Sequence, residues 1–202
     1  MTRNCHLWVI VPLSMETDMF IRTDRLLLRP GWHEERHELA RLLGDAAVAR
    51  NLARAPHPYG ADDAAAFIAE AEGGDLPQLL MFNRTLGGQP RLVGGVGLHR
   101  GEGGLPYLGY WVGRAYWGLG LATEGASALL SAARDSLRIP SVGAWHFCDN
   151  PASGHVLEKL GFCHTGHIAA RPSLAREGLS LARGYRLDLI RHQAGPVPAM
   201  AA

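Results

Sequence analysis

The chain has 202 residues, 47% of them hydrophobic and 19% charged, with 25 glycines and 12 prolines. That composition excludes a disordered chain, a collagen-like repeat and a coiled coil, and the length suits one domain with a sizeable core. Lys+Arg 20 against Asp+Glu 19 leaves a formal charge of +1, too balanced for the basic footprint of a protein that binds nucleic acid or anionic membranes. The first apolar patch, residues 7–13, is far shorter than a membrane span and lacks a small-residue cleavage site after it. Residues 1–19 therefore read as a flexible extension.

The first predicted strand covers residues 20–29 and stops at Pro30. A helix follows over 33–43, with Leu39, Leu42 and Leu43 as its apolar stripe and Gly44 at its end. A short helix is expected within 45–51, then a loop over 56–60. Asp62 or Asp63 caps the next helix, which runs to Glu72. Short strands are predicted over 79–83, 91–98 and 107–112, divided by glycine-rich turns. Residues 119–137 carry the strongest helical pattern, with Ala122, Ala126, Leu129, Leu130, Ala133 and Leu137 on one face. A strand over 141–147 leads to a helix over 151–160, with Pro151 at its first position and Asp149 or Asn150 as cap. Strands over 162–168 and 185–190 complete a domain of residues 20–190, and 191–202 form a tail. This mixture is α+β rather than regular βαβ alternation.

Two segments carry chemistry. In Gly109-Tyr110-Trp111-Val112-Gly113-Arg114-Ala115-Tyr116-Trp117-Gly118-Leu119-Gly120-Leu121-Ala122-Thr123-Glu124 a strand runs through a glycine turn into the longest helix. Gly118 and Gly120 let backbone N–H groups approach a ligand without a Cβ in the way. The helix start adds unpaired donors and partial positive charge. Together they suit a pyrophosphate. No Gly-Lys-Ser/Thr follows, so this is not a Walker loop, and the third glycine of a dinucleotide fingerprint is replaced by Thr123. The second segment, Asp149-Asn150-Pro151-Ala152-Ser153-Gly154-His155-Val156-Leu157-Glu158-Lys159-Leu160-Gly161-Phe162, lies one strand further on.

In this order the segments resemble the GNAT superfamily of N-acetyltransferases. The Gly-Tyr-Trp-Val and Tyr-Trp-Gly-x-Gly-x-Ala-Thr-Glu wording, with the opening Thr23-Asp24-Arg25-Leu26-Leu27-Leu28-Arg29, is similar to the ribosomal-protein N-terminal acetyltransferase (RimJ/RimL-type) branch. The resemblance implies a central mixed, largely antiparallel sheet flanked by helices, with two central strands splayed around coenzyme A. It implies that Tyr110, Trp111 and Val112 line the pantetheine arm. Trp117, Gly118, Leu119, Gly120, Leu121, Ala122 and Thr123 would surround the pyrophosphate, and Asn150 would reach the pantetheine. The implied reaction moves an acetyl group from acetyl-CoA, without a metal, to a primary amine. That amine is a peptide or protein N-terminus, or else a small molecule. A silent acyl-CoA-binding module is the alternative.

Such a reaction needs a base for the ammonium and a donor for the leaving thiolate. Ser153 matches a serine that some relatives use as donor. The positions where relatives carry a glutamate are Tyr107, Gly143 and Trp145, which leaves His99, Glu102 and His146 as base candidates. Glu124 reads as a favourable charge at a helix start. His33-Glu34-Glu35-Arg36-His37 spells a zinc-protease motif, but its helix needs Leu39 and Leu42 inside, so the histidines are expected on the solvated side. Cys5, Cys148 and Cys163 lack CxxC spacing, which points to a reducing cytoplasm, and Cys148 and Cys163 are expected to be packing thiols. The expected state is a monomer or homodimer with no nucleic-acid or membrane partner. The residues that shape the acceptor pocket are expected in loops 53–61 and 171–179.

Overall fold

A computed structural model describes residues 19–176 and 178–190. Residues 1–18 of the extension expected over 1–19 and the tail over 191–202 lie outside the described residues, as does Cys5. The elements are β1 (Ile21–Arg22), β2 (Leu26–Arg29), α1 (Arg36–Leu43), α2 (Ala46–Ala49), α3 (Ala61–Glu72), β3 (Gln78–Asn83), β4 (Arg91–Arg100), β5 (Pro106–Val112), α4 (Leu121–Asp135), β6 (Ser141–Phe147), α5 (Pro151–Lys159), β7 (Cys163–Pro172) and β8 (Leu179–Asp188). One eight-stranded sheet runs in the order β1-β2-β3-β4-β5-β6-β8-β7. Its pairs are antiparallel except β5 and β6, which are parallel. The architecture is the α+β mixed sheet flanked by helices that the sequence implies.

Strand alternation decides which helices each face receives. On β3, Leu79 and Met81 join the core beneath α4 and α5, with Leu121, Leu129 and Leu157. Leu80 and Phe82 point the other way, into a core with Leu39 and Leu42 of α1 and Ile68 of α3. The sheet is therefore packed on both faces, and its middle strands are fixed by apolar burial on each side. No helix among the described residues is long and apolar enough to cross a membrane.

Several boundaries differ from the sequence reading. The strand expected over 20–29 is a hairpin: Thr23 N donates to Leu26 O at 2.9 Å, and Ile21 pairs with Leu28. The helix expected from 119 starts at Leu121, because Gly120 has φ 76° and lies outside the helical region. The cap of α3 is Gly60, and Asp63 reaches back to accept its N–H at 2.8 Å. Strand β7 extends to Pro172, beyond the expected end at 168, after a register shift between His164 and Ile168. Strand β8 starts at Leu179 rather than 185.

Candidate active site

Strands β5 and β6 pair only through Tyr107 with Gly143 and Leu108 with Ala144. Beyond those pairs the ladder stops, although both strands continue to Val112 and Phe147. The other edge of β5 stays zipped to β4 along its whole length, from Arg100–Pro106 to Gly94–Val112. The wedge thus opens toward the C-terminal ends of β5 and β6, where α4 and α5 begin. It forms a cleft of about 590 Å³, a size typical of ligand sites. Every cofactor-site residue named from the sequence lines this cleft except Leu119, and so do Ser153 and His99.

The turn that closes the wide end is held in a shape that needs glycine. Gly118 and Gly120 have φ 75° and 76°, in the left-handed region. A Cβ on Gly118 would meet nothing within 4 Å, so glycine there serves backbone shape and access rather than packing. The first-turn N–H groups of α4, at Leu121, Ala122 and Thr123, have no helical acceptor by construction. They face a cleft with positive helix-dipole charge. Arg25 braces this turn: its Nη1 donates to Leu119 O at 2.9 Å and its Nε to Glu124 Oε2 at 2.6 Å. Glu124 also accepts from Thr23 Oγ1 at 2.5 Å and from Arg25 N at 3.0 Å. Burial alone would raise the Glu124 carboxyl, but the bonds from Thr23 and Arg25 outweigh it and hold it below the usual carboxylate range. Glu124 is thus a clamp between the β1–β2 turn and α4, a tighter role than a charge beside a helix start. Sequence reading gave Arg25 no role in the site.

Where α5 meets β5, two hydroxyls adjoin. Tyr110 Oη lies 2.8 Å from Ser153 Oγ and donates to Ser153 O at 2.9 Å. Burial pushes the Tyr110 hydroxyl up to about 12, so it stays protonated at neutral pH. Asn150, expected to reach pantetheine, uses Oδ1 to cap α5 by accepting Ser153 N at 3.3 Å. His146, under α5, directs Nδ1 to Phe147 O at 2.8 Å. Its buried Nε2 has no partner among the described residues.

The narrow end lies on the α1–α3 face. His99 is paired with Tyr107 across β4 and β5, their ring centroids 6.1 Å apart. A Cβ on Gly143 would sit 2.6 Å from the Tyr107 ring, so glycine on β6 is what lets that ring lie across the strand pair. Burial, then the charges of Arg54 and Arg171, lower the His99 pKa, keeping the imidazole neutral near pH 7. Arg171 stacks its guanidinium 3.9 Å from the Trp145 ring centroid. The two loops expected to shape the acceptor pocket are tied together. Ser173 Oγ donates to Leu52 O at 2.7 Å and Leu174 N to Ala53 O at 3.0 Å. Leu52, Ala53 and Arg171 all line the cleft.

Other sequence candidates fall elsewhere. Glu102 opens a short 3-10 turn, and its side chain lies outside the described residues. His33 and His37 are exposed, and no group of three His, Cys, Asp or Glu among the described residues is placed to hold a metal ion. Cys148 and Cys163 are free and exposed, contrary to the packing role expected of them. Cys148 follows the end of β6, and Cys163 opens β7, the strand at the sheet's edge.

Comparison with known proteins meets this geometry. The model of the acetyltransferase (GNAT) domain matches residues 25–163. No curated protein matches the sequence significantly. Among solved structures, a GNAT-family acetyltransferase from Bacillus anthracis is similar at TM-score 0.74 and 20% identity, over 85% of this chain and 99% of that one. The microcin C7 self-immunity acetyltransferase MccE, solved with acetyl-CoA and AMP, is similar at TM-score 0.68 and 19% identity, over 82% and 93%. RimL, a ribosomal alpha-N-protein acetyltransferase solved with coenzyme A, is similar at TM-score 0.68 and 17% identity, over 84% and 98%. At these identities the likeness is one of fold, and the domain match supplies the family: the chain belongs to the GNAT acetyltransferases, enzymes that depend on acetyl-CoA.

Proposed function

We propose that the chain transfers the acetyl group of acetyl-CoA to a primary α-amine, that of a peptide N-terminus or of a small molecule, in preference to a lysine side chain. The observation that carries this reading is the character of the cleft. No Asp or Glu among the described residues lines it, while His99 does so with a lowered pKa. Without a carboxylate base, the enzyme draws on the fraction of acceptor that is already neutral. A peptide α-amine titrates near 7.7–8.0, so a useful fraction is neutral at pH 7. A lysine amine titrates near 10.4, which leaves on the order of 0.04% neutral.

Acetyl-CoA supplies the thioester. The wedge between β5 and β6 admits the pantetheine arm, and residues 118–123 hold the pyrophosphate at the start of α4. The acceptor enters from the His99 end, and its nitrogen attacks the thioester carbonyl. The backbone N–H of Val112, which points away from β4 into the wedge, stabilises the oxyanion. The proton lost by the amine goes to His99 or water. The departing thiolate takes a proton from the Ser153–Tyr110 hydroxyl pair, which the 2.8 Å contact makes a single unit.

Thiol release from acetyl-CoA, measured over a panel of α-amines and lysine analogues, tests the reading. Turnover of α-amines at least about 100-fold above lysine side-chain analogues at pH 7 is expected from the neutral fractions. Acetyl-CoA binding without turnover of any amine would leave a silent binding module.

A further inference from the structure

We propose that the acceptor carries a carboxylate beside its reacting amine, and that Arg171 and Trp145 bind it. The proposal rests on the amine-acetylating reading above and names the acceptor class for that same site. Arg171 on β7 and Trp145 on β6 line the acceptor end of the cleft, with β8 between them. Two donors are left there without acceptors: Trp145 Nε1 and Arg171 Nε are shielded from solvent and have no hydrogen-bond partner among the described residues. A buried polar group left unpaired costs free energy. Two such donors side by side point to an acceptor supplied by a ligand. Arg171 also forms no ion pair among the described residues, while nearby Arg54 is matched by Glu70 and Arg176 by Asp149.

The stack fixes the chemistry further. With its guanidinium 3.9 Å from the Trp145 ring centroid, Arg171 is pre-oriented and loses little rotamer freedom on binding. The indole lies against Gly184 of β8, where a Cβ would sit 3.0 Å from its ring, so glycine is what admits the ring there. A planar guanidinium beside an indole N–H matches the two oxygens of a carboxylate. No carboxylate among the described lining residues competes for it. An acceptor with a second amine, such as a polyamine, would place a cation against Arg171 without a counter-charge.

The test compares matched amines on the protein loaded with coenzyme A. L-methionine against L-methioninamide probes an α-carboxylate. The dipeptide amides Asp-Ala-NH2 and Asn-Ala-NH2 probe a side-chain carboxylate at a peptide N-terminus. Calorimetric Kd values are taken first, because they do not depend on transfer, and kcat/KM follows. The carboxylate member of at least one pair is expected to bind roughly 10- to 100-fold more tightly than its amide. Whichever pair shows the gap identifies the source of the carboxylate. In Arg171→Gln that ratio should fall to about 2 or below while the Kd for coenzyme A stays unchanged. Arg171→Lys should restore part of it. Trp145→Phe, which keeps the ring and removes the N–H, should lower it several-fold. Equal binding of acid and amide in both pairs, or a ratio unchanged in Arg171→Gln, would overturn the proposal. Equal turnover of acids and amides, each rate expressed per neutral amine from the acceptor's own pKa, would do so while leaving the amine reading intact. Acetyl-CoA binding with no amine acetylated would instead sink that reading.

Discussion

The Tyr110–Ser153 contact joins a strand residue to a helix residue, and its chemistry depends on both. Tyr110, with its pKa raised by burial to about 12, stays protonated and gives its one proton to Ser153 O. Ser153 Oγ is therefore the donor in the 2.8 Å contact, and the serine proton is the one available to the thiolate. Ser153→Ala is expected to lower kcat by roughly 10²-fold, with a smaller change in the Kd for acetyl-CoA. If the two hydroxyls act as a unit, Tyr110→Phe/Ser153→Ala should cost little more than the worse single variant. Loss of thermal stability in both single variants with kcat intact would make the pair a tie between β5 and α5 only. His99 gives a second prediction at this scale. Its pKa is lowered by burial first and by Arg54 and Arg171 second. As a base it must be neutral, so kcat/KM should fall as pH drops through a value below the ordinary 6.5. His99→Gln should remove that limb and leave the rise set by the acceptor amine. An acid limb that survives in His99→Gln would assign it to another group.

At the level of elements, the β1–β2 turn and α4 work as one piece. Arg25 spans Glu124 and Leu119 O, so the turn over residues 118–123 is braced from outside the helix. Glu124→Gln weakens that brace without changing size, and the Kd for coenzyme A is expected to rise about 3- to 10-fold. The same carboxylate predicts an acid response. Its folded pKa lies below the ordinary value near 4.3. Its contribution to stability is therefore present above that value and is lost as pH falls through the folded pKa. Urea melts from pH 7 to pH 3 should show the gap between parent and Glu124→Gln closing below about pH 4. A gap that stays constant to pH 3 would mean the clamp adds nothing beyond shape. The braced turn also explains why the first strand is broken. Glu124 draws in Arg25 N, 99 positions away along the chain, and a sequence pattern over ten residues carries no trace of such a partner.

Across the whole molecule, what could be read in advance is what local patterning encodes. The apolar faces of α4 and α5, the Asn150 cap with Pro151 behind it, and β6 follow from periodicity and helix-end chemistry within a few residues. The glycine turn was legible from its glycines before a helix, and the site residues named around it from the resemblance; all but Leu119 reach the cleft. The acceptor end was legible only as the two loops 53–61 and 171–179, because the Arg171–Trp145 stack forms through a register shift in β7 and across β8. The resemblance implied that two central strands splay, but no local pattern shows that β5 and β6 part after Leu108. The central claim is that this parting, closed off by the turn over residues 118–123, is the acetyl-CoA site. Calorimetric titration of coenzyme A into the parent and into Gly120→Val tests it most directly. Gly120 sits at φ 76°, where valine is strained and would bring a branched side chain to the pyrophosphate turn. Saturable one-to-one binding by the parent, lost or weakened at least about 100-fold in a variant that remains folded, is the predicted result. A parent that does not bind coenzyme A, or a folded Gly120→Val that binds it equally well, would contradict the account.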